Sequence, residues 1–329
     1  MSGRLSVHMQ QRPEAWAEQY LRDLLDARVS LTFGPGLPDR PTYEILIAGL
    51  PAERELDASP RLRALIIPWA GLPQATARAL SSRPNIGVHN IHHNAAPAAE
   101  LAVALMLAAA KSLVPVDRRL RRSDWSPRYE PDMSVTLYGK TALVLGYGAI
   151  GRRVGAACRG LGMSVVAVRK HPERTPAGPD EILPAGALAE ALPRADVLLI
   201  ALPHTGATRG LIGEAEIGAL GEDCVLVNVA RGPVVDEEAL YRALESRSIR
   251  AAGLDVWYAY PSSEEERTCT PPSRFPFGDL DNVVLSPHRA GAFAVREVEE
   301  ARMAALAELL NAAASGQPMP HPVDLLEGY

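Results

Sequence analysis

At 329 residues, with 47% hydrophobic and 22% charged side chains, the chain reads as globular and long enough for two domains with separate cores. A net charge of −5 without a dominant Lys/Arg run argues against a nucleic-acid partner, because affinity for a phosphate backbone needs clustered cations. The three cysteines (Cys158, Cys224, Cys269) form neither a disulfide framework nor a zinc pattern. The first residues, MSGRLSVHMQ, lack the apolar core of a signal peptide, and the longest apolar run, Leu101 to Ala110, is too short to span a bilayer. A cytoplasmic protein without a membrane partner is expected.

Leu5–Met9 reads as a first strand, and Pro13 opens a helix that apolar spacing carries to Arg28. Short buried strands follow over Val29–Phe33, Tyr43–Ala48, Leu62–Pro68 and Ile86–Asn90, with a helix over Leu72–Ser82. This alternation predicts a small parallel α/β unit without a phosphate fingerprint of its own. Pro97–Val114 is apolar nearly all round, with Pro in its first turn and Glu100 near the positive helix end. Such a helix must be buried, and its predicted place is between domains or subunits. Residues 115–138, rich in Arg and Pro and carrying Trp125, read as a connector.

The next stretch organises the chain. Thr141–Leu145 has the length and composition of a buried parallel strand, and it runs into Gly146-Tyr147-Gly148-Ala149-Ile150-Gly151. An Ala-rich helical segment and a second strand, Ser164–Val168, follow. Strand, glycine turn, helix and strand are the context that a dinucleotide fingerprint requires. Gly146 permits the tight turn, Gly148 lets backbone approach a pyrophosphate, and Gly151 lets helix and strand pack closely. Sites that prefer NAD end the second strand with an acid for the ribose hydroxyl. This chain has Arg169, Lys170 and His171, so NADP is the favoured cofactor and NAD the alternative.

Further strands are expected at Asp196–Leu202, Cys224–Val229, Ala251–Val256 and Asn282–Ser286, making six in a doubly wound sheet. Asp236–Glu245 is an amphipathic helix, Ala292–Ala314 a long one, and residues 261–276 a structureless insertion. Three polar groups fall at strand ends: Arg231, which can clamp a carboxylate, Asp255, and His288, the usual proton donor near neutral pH.

The pieces LYGKTALVLGYGAIG, LPHTGATRGLI, NVARGPVVDEEAL, AGLDVW and NVVLSPHRAG, in this order and spacing, resemble the D-isomer-specific 2-hydroxyacid dehydrogenases, a family that includes formate and phosphite dehydrogenases. The resemblance covers nearly the whole chain. It implies an α/β fold of two Rossmann-like domains, each with a mainly parallel sheet, joined by two long helices, with the active site in the cleft. The expected division is a flavodoxin-like substrate-binding domain over 1–110 and 296–329, and a dinucleotide-binding domain over 111–295. By resemblance the chain is an NAD(P)-dependent dehydrogenase of a small 2-keto or 2-hydroxy acid, working as a homodimer. Arg231 would bind the substrate carboxylate and carbonyl, His288 would be the acid/base, and Asp255 would hold the nicotinamide carboxamide. Leu202, Pro203, Thr208, Val229 and Ala230 fall along the cofactor. Backbone N–H groups around Ala70-Gly71-Leu72 would take the substrate carboxylate, with Asn94 beside them.

One position departs from the family pattern. The family places a Glu five residues after the Asp, where this chain has Tyr260. A carboxylate there would favour the imidazolium, whereas a neutral tyrosine can orient the ring but supplies no charge. Formate dehydrogenases, which move no proton, carry a neutral glutamine at this point. Three mechanistic readings follow: slower or acid-shifted keto-acid reduction, a substrate that needs less help from the imidazole, or a carboxylate returned by Glu264-Glu265-Glu266. A catalytically weakened cofactor-binding sensor is the alternative from another class. A second oddity is His89-Asn90-Ile91-His92-His93; no acid or cysteine accompanies the histidines at useful spacing, so no metal is expected, and His92 or His93 would instead shape specificity.

Overall fold

Strands such as Ile45–Ile47, Ala64–Ile67 and Val197–Ile200 form where aliphatic residues run unbroken, as expected for strands covered on both faces. The computed structural model describes residues 4–174, 178–325 and 327, which divide into two compact units, Met1–Asn94 with Ala292–Tyr329, and Ala95–Gly291. The helix Ala95–Ala110, which the sequence reading assigns to the first domain, therefore groups with the second unit.

In the first unit, β1 (Leu5–Met9), β2 (Val29–Phe33), β3 (Ile45–Ile47), β4 (Ala64–Ile67) and β5 (Gly87–Asn90) pair in parallel in the order β2-β1-β3-β4-β5. That is the flavodoxin-like order. Alternation of side chains splits the core into two faces. Val7, Ile45 and Ile66 pack with Leu21, Leu306 and Leu310 on one side, and Leu46 and Leu65 pack with Leu56 and Leu80 on the other. Leu306 and Leu310 come from the long helix Arg296–Ala314, which begins after Ala292 and Ala294 adopt positive φ.

The second unit holds β6 (Thr141–Leu145), β7 (Ser164–Arg169), β8 (Glu181–Pro184), β9 (Val197–Ile200), β10 (Val225–Asn228), β11 (Ala251–Leu254) and β12 (Val283–Leu285). All pair in parallel, in the order β12-β11-β10-β9-β6-β7-β8, which reverses direction between β6 and β9. The seventh strand, β8, escapes the sequence reading because it is a short, half-exposed edge without an apolar run. On one face the helices Ala95–Ala110 and Ala149–Gly160 cover Val144, Val197, Val225 and Val227. A Cβ on Gly253 of β11 would lie 2.7 Å from Leu105 Cβ, so the first of these helices is seated directly on the sheet.

That helix ends at Ala110 rather than Val114, because Ser112 turns left-handed (φ 49°). A second helix, Leu113–Leu120, bent by 65° from the first, occupies part of the expected connector. Among the described residues no single helix is long and apolar enough to cross a membrane. The insertion 261–276 contains one short 3-10 turn, Glu265–Thr268.

Candidate active site

At the end of β6 the chain turns at Gly146 (φ 89°), where a Cβ would lie 2.6 Å from the Ala201 carbonyl oxygen. A Cβ on Gly151 would lie 2.0 Å from the Gly146 oxygen, whereas the space beside Gly148 is open. The turn thus needs glycine at two points and leaves room at the third. The helix Ala149–Gly160 starts here with its first N–H groups unbonded within the helix, so the cradle fits a pyrophosphate. Tyr147 is buried against Gly155, so it can face a cofactor only with backbone, whereas Ile150 packs on the core while staying partly exposed. Arg169 closes β7 and is followed by Lys170 and His171, whose Nδ1 lies 3.5 Å from Glu173. Residues 175–177, beyond this cationic run, are outside the described residues.

Parallel order sets the carboxyl ends of β9, β10, β11 and β12 side by side. After β9, the Thr208 hydroxyl donates to the Pro203 carbonyl (2.6 Å) and accepts from Thr205 N–H (2.8 Å), closing the loop that begins at Leu202. After β10 the side chains of Val229 and Ala230 are buried, while Arg231 is exposed, with its Nη1 donating to the Ala230 carbonyl at 2.6 Å. Buried Asn228 shapes this turn: its Oδ1 accepts from Ala230 N–H (3.0 Å) and its Nδ2 donates to the Arg231 carbonyl (3.1 Å). Gly232 then passes so close to Trp257 that a Cβ would lie 2.2 Å from the Trp257 carbonyl oxygen. The Arg231 turn is held against the segment that follows β11.

That segment carries Asp255, fully buried, whose carboxyl accepts from the Ser286 hydroxyl and from the N–H groups of Arg289 (2.7 Å) and Ala290 (2.9 Å). Trp257 Nε1 donates to the Ser286 carbonyl at 2.8 Å. These bonds wrap the loop after β12 and hold His288 in the left-handed region (φ 58°), a conformation that costs a non-glycine residue about 1–2 kcal/mol. Asp255 therefore shapes the histidine loop, a part the sequence reading did not give it.

The Tyr260 ring lies 5.5 Å from the imidazole, centroid to centroid, at 54°. Its hydroxyl accepts from the Trp257 N–H at 3.0 Å, and among the described contacts no hydrogen bond joins it to His288. Burial raises the Tyr260 pKa, so the hydroxyl stays neutral at ordinary pH. His288 is held below its usual value, first by desolvation and then by the Arg231 guanidinium, with Asp255 opposing. Glu264, Glu265 and Glu266 are exposed and bond within their own segment, to Arg267, Ser263 and Ser262, so they return no carboxylate to His288. Arg231, Asp255, Tyr260 and His288 thus converge, braced by Asn228, Gly232, Trp257 and Ser286. The sequence signal for Asn228 and Ser286 is a polar residue at the end of an apolar strand; Gly232 and Trp257 carry none of that kind.

In the first unit, Ala70, Gly71 and Leu72 form the partly buried loop after β4, and Asn94 is also partly exposed. His89 Nδ1 bonds to the Pro320 carbonyl (2.9 Å), and His92 packs edge-on against His321 (5.2 Å). Among the described residues the buried Nδ1 of His93 has no hydrogen-bond partner. Burial, then Arg302, push its pKa down to about 4, with Glu299 opposing. The folded state therefore favours neutral His93, a contribution present above the unfolded pKa near 6.5 and lost as pH falls toward about 4. Urea unfolding at pH 7 and pH 4 should show wild type losing on the order of 2 kcal/mol more than His93→Asn; equal losses would refute this.

The sequence comparisons agree with this architecture. The family model for the NAD binding domain of D-isomer specific 2-hydroxyacid dehydrogenase matches residues 103–290. A D-3-phosphoglycerate dehydrogenase of Archaeoglobus fulgidus is 31% identical over 290 residues, covering 87% of this chain and 52% of that protein. One from Methanocaldococcus jannaschii is 36% identical over 208 residues, 63% of this chain and 36% of that protein. The chain spans about half or less of the length of these curated relatives. In fold it resembles a probable 2-hydroxyacid dehydrogenase from Rhizobium etli, solved in complex with NADP, HEPES and L(+)-tartaric acid, with a TM-score of 0.80, 22% identity and 100% of both chains covered. With the family model covering more than half of its length, and with a parallel sheet that carries the fingerprint, the chain belongs to the D-isomer specific 2-hydroxyacid dehydrogenase family.

Proposed function

We propose that the protein is an NAD(P)-dependent oxidoreductase acting on CH–OH, which interconverts a small 2-keto acid and its D-2-hydroxy acid. The observation that carries this reading is the convergence of Arg231, Tyr260 and His288 at the carboxyl ends of β10, β11 and β12, in the sheet whose β6 turn holds the fingerprint. When bound, NAD(P)H supplies the hydride. Arg231 holds the substrate carboxylate and carbonyl, and His288 gives a proton to the carbonyl oxygen in reduction and takes it back in oxidation. In this reading the backbone of Ala70, Gly71 and Leu72 also binds the carboxylate, with Asn94 nearby. Leu202, Pro203, Thr208, Val229 and Ala230 line the cofactor. The nicotinamide amide would share the Asp255 carboxyl with its three present donors.

Arg169 and Lys170, standing where NAD sites place an acid, support a preference for NADPH. Steady-state kinetics with one keto acid should give a kcat/KM for NADPH at least about tenfold above that for NADH; a strong NADH preference would overturn the assignment. A homodimer belongs to the same proposal. Exposed Leu113, Leu120, Trp125, Tyr129 and Tyr138 make residues 113–138 unusually apolar for a free surface.

One observation favours a second reading. An imidazole held below its usual pKa beside a neutral tyrosine is a better base than acid at pH 7, which suits oxidation or a substrate that needs no proton. A cofactor-binding sensor is the remaining alternative, and turnover of any member of a keto-acid panel would exclude it.

A further inference from the structure

Asn90 is a buried side chain that this mechanism leaves without a task. It closes β5, and the parallel register sets it beside Ile67, the last residue of β4. Its Nδ2 donates to the Ala70 carbonyl at 2.7 Å. A trans peptide is planar, so its C=O and N–H point in opposite directions, and the described chain contains no cis bond. With the Ala70 oxygen drawn toward buried Asn90, the Gly71 N–H must point the other way. Among the described contacts no group accepts from the N–H of Gly71 or Leu72, and both residues are partly open to solvent.

A second anchor holds the same loop. The six-membered ring of Trp69 packs against Gly49, where a Cβ would meet ring atoms at 1.8 and 2.0 Å. Gly49 is itself fixed, because the buried Thr76 hydroxyl donates to its carbonyl at 2.7 Å. The loop Trp69–Leu72 is thus clamped at one side chain and at one peptide. A loop prepared in this way presents N–H groups to an anion without first reorganising.

We infer that Asn90 is a positioning residue: by holding the peptide between Ala70 and Gly71, and with Trp69 seated on Gly49, it fixes the N–H groups that receive the substrate carboxylate. The inference rests on the proposed keto-acid reaction for its substrate. Packing alone would be satisfied by any side chain of similar shape, whereas positioning requires a donor.

Asn90→Leu matches the shape and cannot donate, while Asn90→Ser keeps a shorter donor. Asn90→Leu should raise KM for the keto acid about tenfold, the loss of one buried hydrogen bond, with kcat changed less and the Kd for NADPH unmoved. Asn90→Ser should recover part of the loss, and Gly49→Ala should raise the same KM by displacing Trp69. Wild type that turns over keto acids while Asn90→Leu leaves KM unmoved overturns the inference. Backbone amide NMR with oxamate, an anionic analogue of pyruvate, gives a readout independent of turnover. The Gly71 amide should shift on titration in wild type and not in Asn90→Leu. A Gly71 amide that oxamate leaves unmoved in wild type also overturns it. A Gly71 amide that shifts in a protein without turnover would sink the proposed reaction and leave the role of Asn90 standing.

Discussion

His288→Asn should lower kcat for keto-acid reduction by about two to four orders of magnitude, the usual worth of a positioned general acid. Asparagine suits the test because it tolerates the left-handed backbone better than other side chains, and residue 288 sits at φ 58°. The loop bonds to Asp255 come from Ser286, Arg289 and Ala290, none of which changes. Folding and cofactor affinity should therefore survive, and calorimetry with NADPH should give a Kd within about twofold of wild type. A variant that reduces keto acids at the wild-type rate would remove His288 from the mechanism.

Tyr260→Glu should move the pH profile. In the native site the imidazole is held below its ordinary pKa, so the protonated fraction that reduction needs falls as pH rises through that lowered value. Reduction should then have an acid-shifted optimum, while oxidation, which uses the neutral ring, keeps its base at pH 7. The Tyr260 ring lies 5.5 Å from the imidazole, close enough for a carboxylate in its place to favour the protonated form. The basic limb of the reduction profile should move up by about one unit or more, raising the rate at pH 7 about tenfold. Identical profiles for the two proteins would show that residue 260 does not set the charge of His288. The Trp257 N–H, which now donates to the Tyr260 hydroxyl, would find a stronger acceptor in the variant.

Buried parallel strands and the glycine turn could be read from the chain alone, because unbroken β-branched runs and the pattern of Gly146, Gly148 and Gly151 have local physical causes. Arg231, Asp255 and His288 could be placed at strand ends for the same reason, since Asp255 follows its strand directly and the other two come within three residues of theirs. Polar partners could not. Asp255 reaches residues 286, 289 and 290 because β12 lies beside β11, and Asn90 reaches Ala70 because β5 lies beside β4. The Tyr260 hydroxyl turns back to the Trp257 N–H, the helix after Ala95 stops at a left-handed Ser112, and β8 forms on a sheet edge without an apolar signal. Hydrophobic periodicity determines which residues are buried; which buried polar atoms meet is decided by strand order and register, which exist only once the sheet has formed.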